Sequence, residues 1–353
     1  MRHSRSIIVA LVVALSGCGA TIEVTPTLPP ATQQGQASPS EGPSAAAPAC
    51  GTAEYSPEAI VALPVSGPGP TGLALGGGYV WLADSTSDGG FVARVDPARP
   101  MLSDRVRIGW APGNVLYAEG QVWVAETSGD GSRPTAPGQN DVLRVSAATL
   151  SVSGRSPVTD PGGLALTMHG VWAVSGASSL DLLDSLSGRV KARAAVDSGV
   201  VTFVRAGEST LYVTSTDPTG SSAQLELREM TTGRLTSSKG FAAAAGPVLV
   251  VGGSAWLPLR DAATEGWKLV LADTGQGSSS VPADINVNTF IALGDRVAGY
   301  ASDGCIHAFL PTKPSADHAL RPQDHGDVLA LLADGDQIWV LTPSALAAYR
   351  FPG

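Results

Sequence analysis

The sequence has little positive charge. Only 22 of its 353 residues are Lys or Arg, against 31 Asp or Glu, and the formal net charge at pH 7 is −9. No block of basic residues interleaves with aromatic residues, which argues against nucleic acid as a partner. An acidic surface is also repelled by anionic lipid, so we expect any membrane attachment to come from an anchor.

The apolar run near the N-terminus is too short to span a bilayer. Residues 7–15, IIVALVVAL, follow Arg2 and Arg5 and have the length of a signal-peptide h-region. LSGC, residues 15–18, resembles the lipobox of bacterial lipoproteins. The resemblance implies removal of residues 1–17, diacylglycerol transfer to Cys18, and acylation of the new amino terminus, for example with palmitate. The alternative is an ordinary signal peptide with a chance cysteine.

Large apolar residues are scarce in the segment that follows. Residues 18–56 include TPTLPPATQQGQASPSEGPSAAAPA, a stretch of Pro, Ser, Ala, Gln and Gly. Such a composition cannot bury enough surface to offset its ordering entropy, so we predict a disordered linker. The chain is therefore expected to be exported and lipid-anchored to the outer face of a bacterial cell membrane, with its folded domain over residues 57–353.

A recurring motif organises that domain. YVWLAD, residues 79–84, is an apolar strand pattern after a Gly-rich turn, and it returns in VWVAE, VWAVS, LYVTS, AWLPL, VAGYA and IWVLT. The central residues of the seven copies lie 40 to 49 residues apart: Trp81, Trp123, Trp172, Tyr212, Trp256, Ala298 and Trp339. A period of about 43 residues is typical of a four-stranded propeller blade.

The residues around each copy predict the other strands of a blade. A short apolar run such as TGLAL precedes the motif, a run such as FVARVD follows it, and Gly-containing turns such as DSLSGR lead to a fourth segment. We name these strands A to D, from the axis of the ring outward. Strands A and B read as nearly continuous apolar runs, which indicates sheets that neighbouring blades cover on both faces.

The two ends of the domain carry complementary defects. The last repeat has only three strands before the sequence ends, and a spare apolar segment, residues 59–65 (AIVALPV), precedes the first repeat. If that segment supplies strand D of the last blade, the ring closes and no sheet edge is left exposed. We therefore predict an all-β fold, a seven-bladed propeller of four-stranded antiparallel blades closed by an N-terminal strand. A β-helix or a pair of β-sandwiches is the competing architecture.

Three cysteines are present in the chain. If Cys18 carries lipid, Cys50 and Cys305 remain, one just before the closing strand and the other in the neighbouring sixth repeat. Disulfides persist outside the cytoplasm, so a Cys50–Cys305 bond is expected, with two buried free thiols as the alternative.

One face of the predicted ring holds the connections B–C and D–A, and we call it the loop face. Ligands are expected at this face, and the longest B–C connection, residues 126–141, is part of it. The D–A connections place five acidic residues and one histidine near the mouth of the central channel: Asp160, Asp197, Asp284, Asp324, His325 and Asp327.

The sequence gives little support for metal binding or catalysis by these acidic residues and this histidine. Carboxylates suit Ca²⁺ or Mg²⁺, but no EF-hand-like or nonapeptide pattern is present, and Asp is also a common turn residue, so no cofactor is predicted. The sequence contains no G-x-S-x-G, H-E-x-x-H, Walker or Rossmann pattern in a suitable context. His325 is the one histidine at a position where catalysis is plausible.

PTGLALGGGYVWLAD and PGGLALTMHGVWAVS resemble the repeats of the streptogramin-lyase group of propellers, and LYVTS is similar to the YVTN repeat of related surface proteins. Quinoprotein propellers are a more distant resemblance. In the lyases a His of a D–A connection and a Glu after the aromatic motif of the same repeat act with Mg²⁺. His325 matches the first, whereas Thr342 stands in place of the second, and Glu126 of the second repeat has no such His.

We therefore expect a monomeric, lipid-anchored binding or scaffold module for a protein or small ligand on the loop face. The alternative is a metal-assisted lyase or hydrolase that uses His325 with Asp284 or Asp327.

Overall fold

The computed structural model describes residues 54–63, 69–86, 89–109, 112–126, 141–260, 266–275, 279–281, 285–323 and 327–351. The chain divides into two units, residues 1–44 and 45–353, and the first unit lies outside the described residues. The predicted signal peptide, Cys18 and most of the predicted linker therefore lie outside them too. In the part that is described, no helix has the length and apolar character needed to cross a bilayer.

Strands dominate the fold, and they form seven sheets in a ring. The chain enters with β1 (Glu54–Tyr55) and β2 (Ala59–Ala62). Blades 1 to 3 then follow, each in the order A to D: β3 (Gly69–Gly76), β4 (Tyr79–Thr86), β5 (Gly89–Asp96) and β6 (Arg99–Gly109); β7 (Pro112–Ala118), β8 (Gln121–Glu126), β9 (Val142–Ser146) and β10 (Ser151–Ser156); β11 (Pro161–Thr167), β12 (Gly170–Ser175), β13 (Ser179–Leu183) and β14 (Val190–Ala195).

Blades 4 to 7 repeat the meander. Their strands are β15 (Val200–Ala206), β16 (Thr210–Thr216), β17 (Ala223–Glu229) and β18 (Leu235–Phe241); β19 (Leu249–Val251), β20 (Ser254–Arg260), β21 (Trp267–Leu271) and β22 (Ser279–Ser280); β23 (Ile291–Leu293), β24 (Arg296–Tyr300), β25 (Ile306–Leu310) and β26 (Lys313–Pro322); β27 (Ala330–Asp334), β28 (Gln337–Leu341) and β29 (Ala345–Arg350). The one helical element among the described residues is a 3₁₀ turn, Val287–Thr289.

The predicted closure of the ring is confirmed. Strand β2 pairs antiparallel with β29, with Ala59 opposite Ala348 and Ala62 opposite Ala345, and so completes blade 7. A backbone hydrogen bond from Leu63 to Ser344 extends the pairing beyond the strand. The chain thus supplies blade 7 from both of its ends.

Strand β1 was not predicted from the sequence. It pairs in parallel with β26, with Glu54 opposite Arg321, and so adds a fifth strand to blade 6. Two residues of the segment assigned to the linker therefore belong to a sheet. Their sequence, Glu-Tyr among Gly, Thr, Ala and Ser, has no apolar alternation that would have indicated a strand.

Seven hydrophobic clusters fill the seven interfaces between neighbouring blades. Each cluster combines buried residues of two adjacent blades, and the seventh joins blade 7 to blade 1 through Val61, Leu63 and Trp339 on one side and Val80 and Leu82 on the other. Successive side chains of a strand point to opposite faces, so both sets of a B strand are buried. This explains why the B strands read as unbroken apolar runs.

The same prediction holds only in part for the A strands, which are partly buried. Strand β12 of blade 3 is buried at all six positions, whereas the adjacent inner strand β11 has four buried, two half-buried and one exposed position. The innermost strand has a hydrogen-bonded neighbour on one side only, so its other edge faces the axis of the ring. Burial on both faces therefore applies to the central positions of strand B and only in part to strand A.

The turn before the first copy of the recurring motif, YVWLAD, shows why glycine recurs in the A–B turns. Gly77 and Gly78 adopt φ values of 63° and 80°, the pair of positive angles that a two-residue hairpin of type I′ requires. The preceding Gly76 lies against Tyr117 of blade 2, and a Cβ there would come within 2.0 Å of its ring. The Trp81 indole stacks on the same ring and donates to the Gly76 carbonyl at 2.9 Å.

Candidate functional site

A cleft of about 530 Å³ opens on the loop face where blades 5, 6 and 7 meet. Two D–A connections and the ends of two B strands form its walls, so it lies where the sequence placed the ligand face. We call it the loop-face cleft. Its lining residues are Arg260, Trp267, Ile285, Asn286, Tyr300, Ala301, Ser302, Asp327, Val328 and Leu329.

The connection between blades 5 and 6 is fixed to the end of strand β24. Ile285 and Ala301 form an isolated antiparallel bridge, and the Asn286 N–H donates to the Tyr300 carbonyl at 2.8 Å. The buried Thr289 hydroxyl accepts from the Tyr300 N–H at 2.9 Å and donates to the Asn286 carbonyl at 2.7 Å. These bonds satisfy the backbone and hold the Tyr300 main chain at the wall of the cleft.

Tyr300 is the residue of the cleft with a perturbed acidity. Burial raises the pKa of its phenol, the negative charges of Asp327 and Asp303 raise it further, and Arg321 opposes them. The phenol thus stays protonated at neutral pH and can donate a hydrogen bond into the cleft.

Two charged side chains of opposite sign line the cleft without a partner. Arg260 and Asp327 are exposed, and neither forms an ion pair or side-chain hydrogen bond with any described residue. An exposed charge is usually solvated, but two of them in one concave site can each be satisfied by a bound group. The cleft therefore offers one cationic and one anionic recognition point.

An apolar surface completes the cleft. Trp267, at the start of β21, packs its partly buried side chain against the cluster between blades 5 and 6. Leu329 contributes a side chain that is 40% exposed. An aromatic and an aliphatic wall beside a few polar groups is the usual composition of a small-molecule site.

The other predicted ligand-face residues do not all meet there. Asp327 lines the loop-face cleft, whereas Asp197 lines a second cleft of about 450 Å³ between blades 3 and 4, and Asp160 is an exposed residue with φ of 46°. Asp284, Asp324 and His325 lie outside the described residues, as does the predicted loop 127–140. The D–A connections are spaced around the ring, so residues of distant blades do not converge.

In blade 7, Thr342 occupies the position that the lyase resemblance assigns to Glu, and its side chain stabilises a turn. The Thr342 hydroxyl donates to the Ala345 carbonyl at 3.2 Å and accepts from its N–H at 3.1 Å, which closes the turn between β28 and β29. In blade 2, Glu126 is completely buried, and Arg155 donates to it at 3.1 Å. Both side chains are engaged within their own blades.

The described residues include one of the two cysteines of the predicted disulfide and some of the predicted metal ligands. Cys305 is disulfide-bonded, but Cys50 lies outside the described residues, so the Cys50–Cys305 pairing stays a prediction. Among the described residues no group of three or more His, Cys, Asp or Glu side chains has the arrangement of a metal site.

Comparisons with known proteins give information on the fold of the chain only. The chain matches no protein-family profile and no curated protein sequence. Among solved structures it is similar to a hydrazine synthase of Kuenenia stuttgartiensis, with a TM-score of 0.65 and 9% identity over 80% of this chain and 96% of that one. It is also similar to the computationally designed Ika8 protein, with a TM-score of 0.53 and 12% identity over 82% and 98% of the two chains. At these identities the likeness shows the β-propeller fold alone.

Proposed function

We propose that this protein is a binding module that takes a small zwitterionic ligand, such as an amino acid or short peptide, in its loop-face cleft. One observation carries the proposal: Arg260 and Asp327, both without a partner among the described residues, line the same cleft as Trp267. Arg260 suits a carboxylate because its planar guanidinium donates two parallel hydrogen bonds. Asp327 suits an ammonium group, and Trp267 suits an apolar side chain.

The remaining polar groups fit the same ligand class. The Tyr300 hydroxyl, the Asn286 amide and the Ser302 hydroxyl add donors and acceptors around the two charges. Among the described residues, no hydrogen bond joins the Ser302 or Tyr300 hydroxyl to a carboxylate or imidazole, so binding is favoured over nucleophilic catalysis. We retain the metal-assisted lyase of the streptogramin-lyase type as the alternative, because His325 and Asp284 lie outside the described residues.

The setting of this function is a membrane surface. We propose that Cys18 carries the lipid anchor, that residues 18–53 tether the propeller, and that the domain works on the outer face of the bacterial cell membrane. The support is the lipobox-like LSGC after a short apolar segment. The resemblance to the streptogramin-lyase and YVTN-repeat propellers stays a prediction.

Calorimetric titration of the purified full chain tests the proposal. The panel comprises amino acids and dipeptides with apolar side chains, the same compounds with blocked amino or carboxyl groups, and neutral saccharides. We expect binding of the zwitterions, weaker binding of each blocked form, and a loss of at least about tenfold for Arg260→Gln or Asp327→Asn, since hydrogen bonds to charged groups contribute about 1.5–3 kcal/mol.

Matched controls are available in blade 1. Arg99 and Asp104 are exposed by 81% and 72%, so Arg99→Gln and Asp104→Asn change the charge equally without touching the cleft. Binding that falls equally in the control variants, or that prefers neutral saccharides, would contradict the proposed ligand class. Turnover of a macrocyclic lactone with Mg²⁺, lost in His325→Ala, would establish the alternative.

A further inference from the structure

The face opposite the loop face, formed by the A–B and C–D turns, carries an apolar cluster in blade 3. Four of the ten exposed large apolar side chains of the described residues belong to this blade: Leu166 at 41%, Met168 at 82%, Leu186 at 74% and Val190 at 38%. The other six are spread over four other blades. Single exposed apolar residues are ordinary, but a cluster at one tip marks a contact surface. We call these four residues the blade-3 tip.

The strand register places all four members of the tip at one end of the blade. Leu166 is opposite Val171, Val171 is opposite Leu183, and Leu183 is opposite Val190. Leu166 and Val190 are the exposed ends of this row, and Val171 and Leu183 are fully buried between them. Met168 lies in the turn just beyond Leu166, and Leu186 lies in the turn just beyond Leu183. The two most exposed residues therefore project past the same end of the sheet.

Both turns are held by their own hydrogen bonds. The Thr167 hydroxyl donates to the Gly170 carbonyl at 2.9 Å across the first turn. Asp184 accepts from the Ser187 N–H at 2.7 Å and from the Ser187 hydroxyl at 2.8 Å in the second. The Lys191 ammonium joins the turns, since it lies 2.9 Å from the His169 carbonyl and 3.8 Å from Asp184. Met168 and Leu186 are thus exposed on an ordered framework.

The exposed charges within the blade-3 tip are opposite in sign to the net charge of the whole chain. Arg189 and Lys191 are exposed within it, and Arg144 of blade 2 reaches the Leu186 carbonyl. Asp184, the carboxylate of the C–D turn itself, is engaged by its own turn and by Lys191, whereas the exposed Glu119 and Glu208 lie in the A–B turns of blades 2 and 4. A chain with a net charge of −9 therefore presents a basic rim, formed by Arg189 and Lys191, beside the apolar tip of blade 3.

We propose that the blade-3 tip docks on an anionic lipid surface. Apolar side chains that enter the headgroup region beside Lys and Arg are the composition of an interfacial membrane contact. A second copy of the chain is the poorer occupant, because a two-fold contact through this patch would bring Arg189 and Lys191 against their own symmetry mates. Docking through this face would leave the loop-face cleft open to the solvent on the opposite side.

Vesicle sedimentation of the full chain with Cys18→Ser tests the tip without any contribution from a lipid anchor. The probes are vesicles of phosphatidylcholine with phosphatidylglycerol and vesicles of phosphatidylcholine alone. We expect salt-sensitive binding to the anionic vesicles. Each basic residue near an anionic surface is worth roughly a fivefold gain in partitioning, so Arg189→Gln with Lys191→Gln should reduce binding by at least about tenfold.

The apolar contribution is tested by Met168→Ser with Leu186→Ser, which leaves the charge unchanged and should reduce binding to the anionic vesicles to background. Met101→Ser with Val152→Ser is the matched control, because Met101 and Val152 are 62% and 39% exposed on the outer strands of blades 1 and 2. Thermal melting of all variants checks that the exposed substitutions leave the fold intact.

Two results would overturn the proposal: binding to the anionic vesicles that stays unchanged in either blade-3 double variant, or no binding by the chain that carries Cys18→Ser alone. If the Met168 and Leu186 double variant had a lower molecular mass in solution than that chain, a second copy would cover the tip instead. The inference rests on the proposed lipid anchor only for its cellular setting. Failure of Cys18 lipidation and failure of vesicle binding are therefore separate outcomes.

Discussion

The closing strand offers a perturbation whose magnitude follows from the structure. Val61 and Leu63 of the N-terminal segment are 3% and 6% exposed, and they pack with Trp339, Leu341 and Leu346 in the cluster between blades 7 and 1. Leu63→Ala should cost about 2–5 kcal/mol as a buried truncation. Val61→Ala removes two methyl groups at about 0.8 kcal/mol each and leaves a small cavity, so about 2 kcal/mol is expected.

The double variant Val61→Ala, Leu63→Ala should therefore lose about 4–7 kcal/mol, a large part of the 5–15 kcal/mol that stabilises a typical domain. Equilibrium unfolding in urea of the full chain measures this loss. Ile60→Ala is the matched control, because Ile60 lies in the same strand but is 44% exposed, and its cost should stay within about 0.5 kcal/mol. Equal midpoints for the double variant and the control would refute the account of ring closure.

Three further predictions concern the buried ion pair, the cleft and the anchor. Arg228, which is 5% exposed, donates to Glu226 at 2.6 Å and to the carbonyls of Gly233 and Ala195; Arg228→Met should cost about 3–5 kcal/mol in urea unfolding because it strands a buried carboxylate, and adding Glu226→Gln should restore most of that loss. The Asp327 charge raises the pKa of Tyr300, so Asp327→Asn should lower that pKa in an ultraviolet titration, whereas Asp104→Asn should leave it unchanged. Cys18→Ser should move the protein from the membrane fraction to the soluble extracytoplasmic fraction, and equal membrane retention would contradict the lipoprotein hypothesis.

The repeat and the closure could be predicted from the sequence because both depend on local pattern. A buried aromatic residue in strand B recurs at nearly constant spacing, and Trp81, Trp123, Trp172 and Trp339 are all fully buried. The spare segment at residues 59–65 was recognisable because the last repeat lacks one strand. Packing of this kind is fixed by apolar periodicity, which the sequence displays directly.

The cleft could not be predicted in the same way. Tyr300 ends the weakest copy of the motif, and Arg260 and Trp267 flank a B–C connection with no recognisable signature. Their convergence depends on which connections neighbouring blades bring together, and the spacing of a repeat does not reveal that. Asp197 and Asp327 occupy equivalent D–A connections, yet they line different clefts because the ring separates their blades.

The blade-3 tip also could not be predicted from the sequence. Met168 follows Thr167 and Leu186 follows Ser185 in turns that resemble the other turns of the chain. Their exposure becomes evident only when the register of β11 to β14 places both turns at one end of the sheet. The acidic net charge likewise conceals the local basic rim formed by Arg189 and Lys191.

The central claim is that the loop-face cleft holds a zwitterionic ligand between Arg260 and Asp327. A crystal structure of the full chain with the tightest-binding amino acid or dipeptide of the calorimetric panel tests it most directly. We expect the ligand carboxylate to contact Arg260, its ammonium group to contact Asp327, and its side chain to pack against Trp267. Ligand density in the cleft between blades 3 and 4, or in the loop-face cleft without contact to either charge, would contradict it.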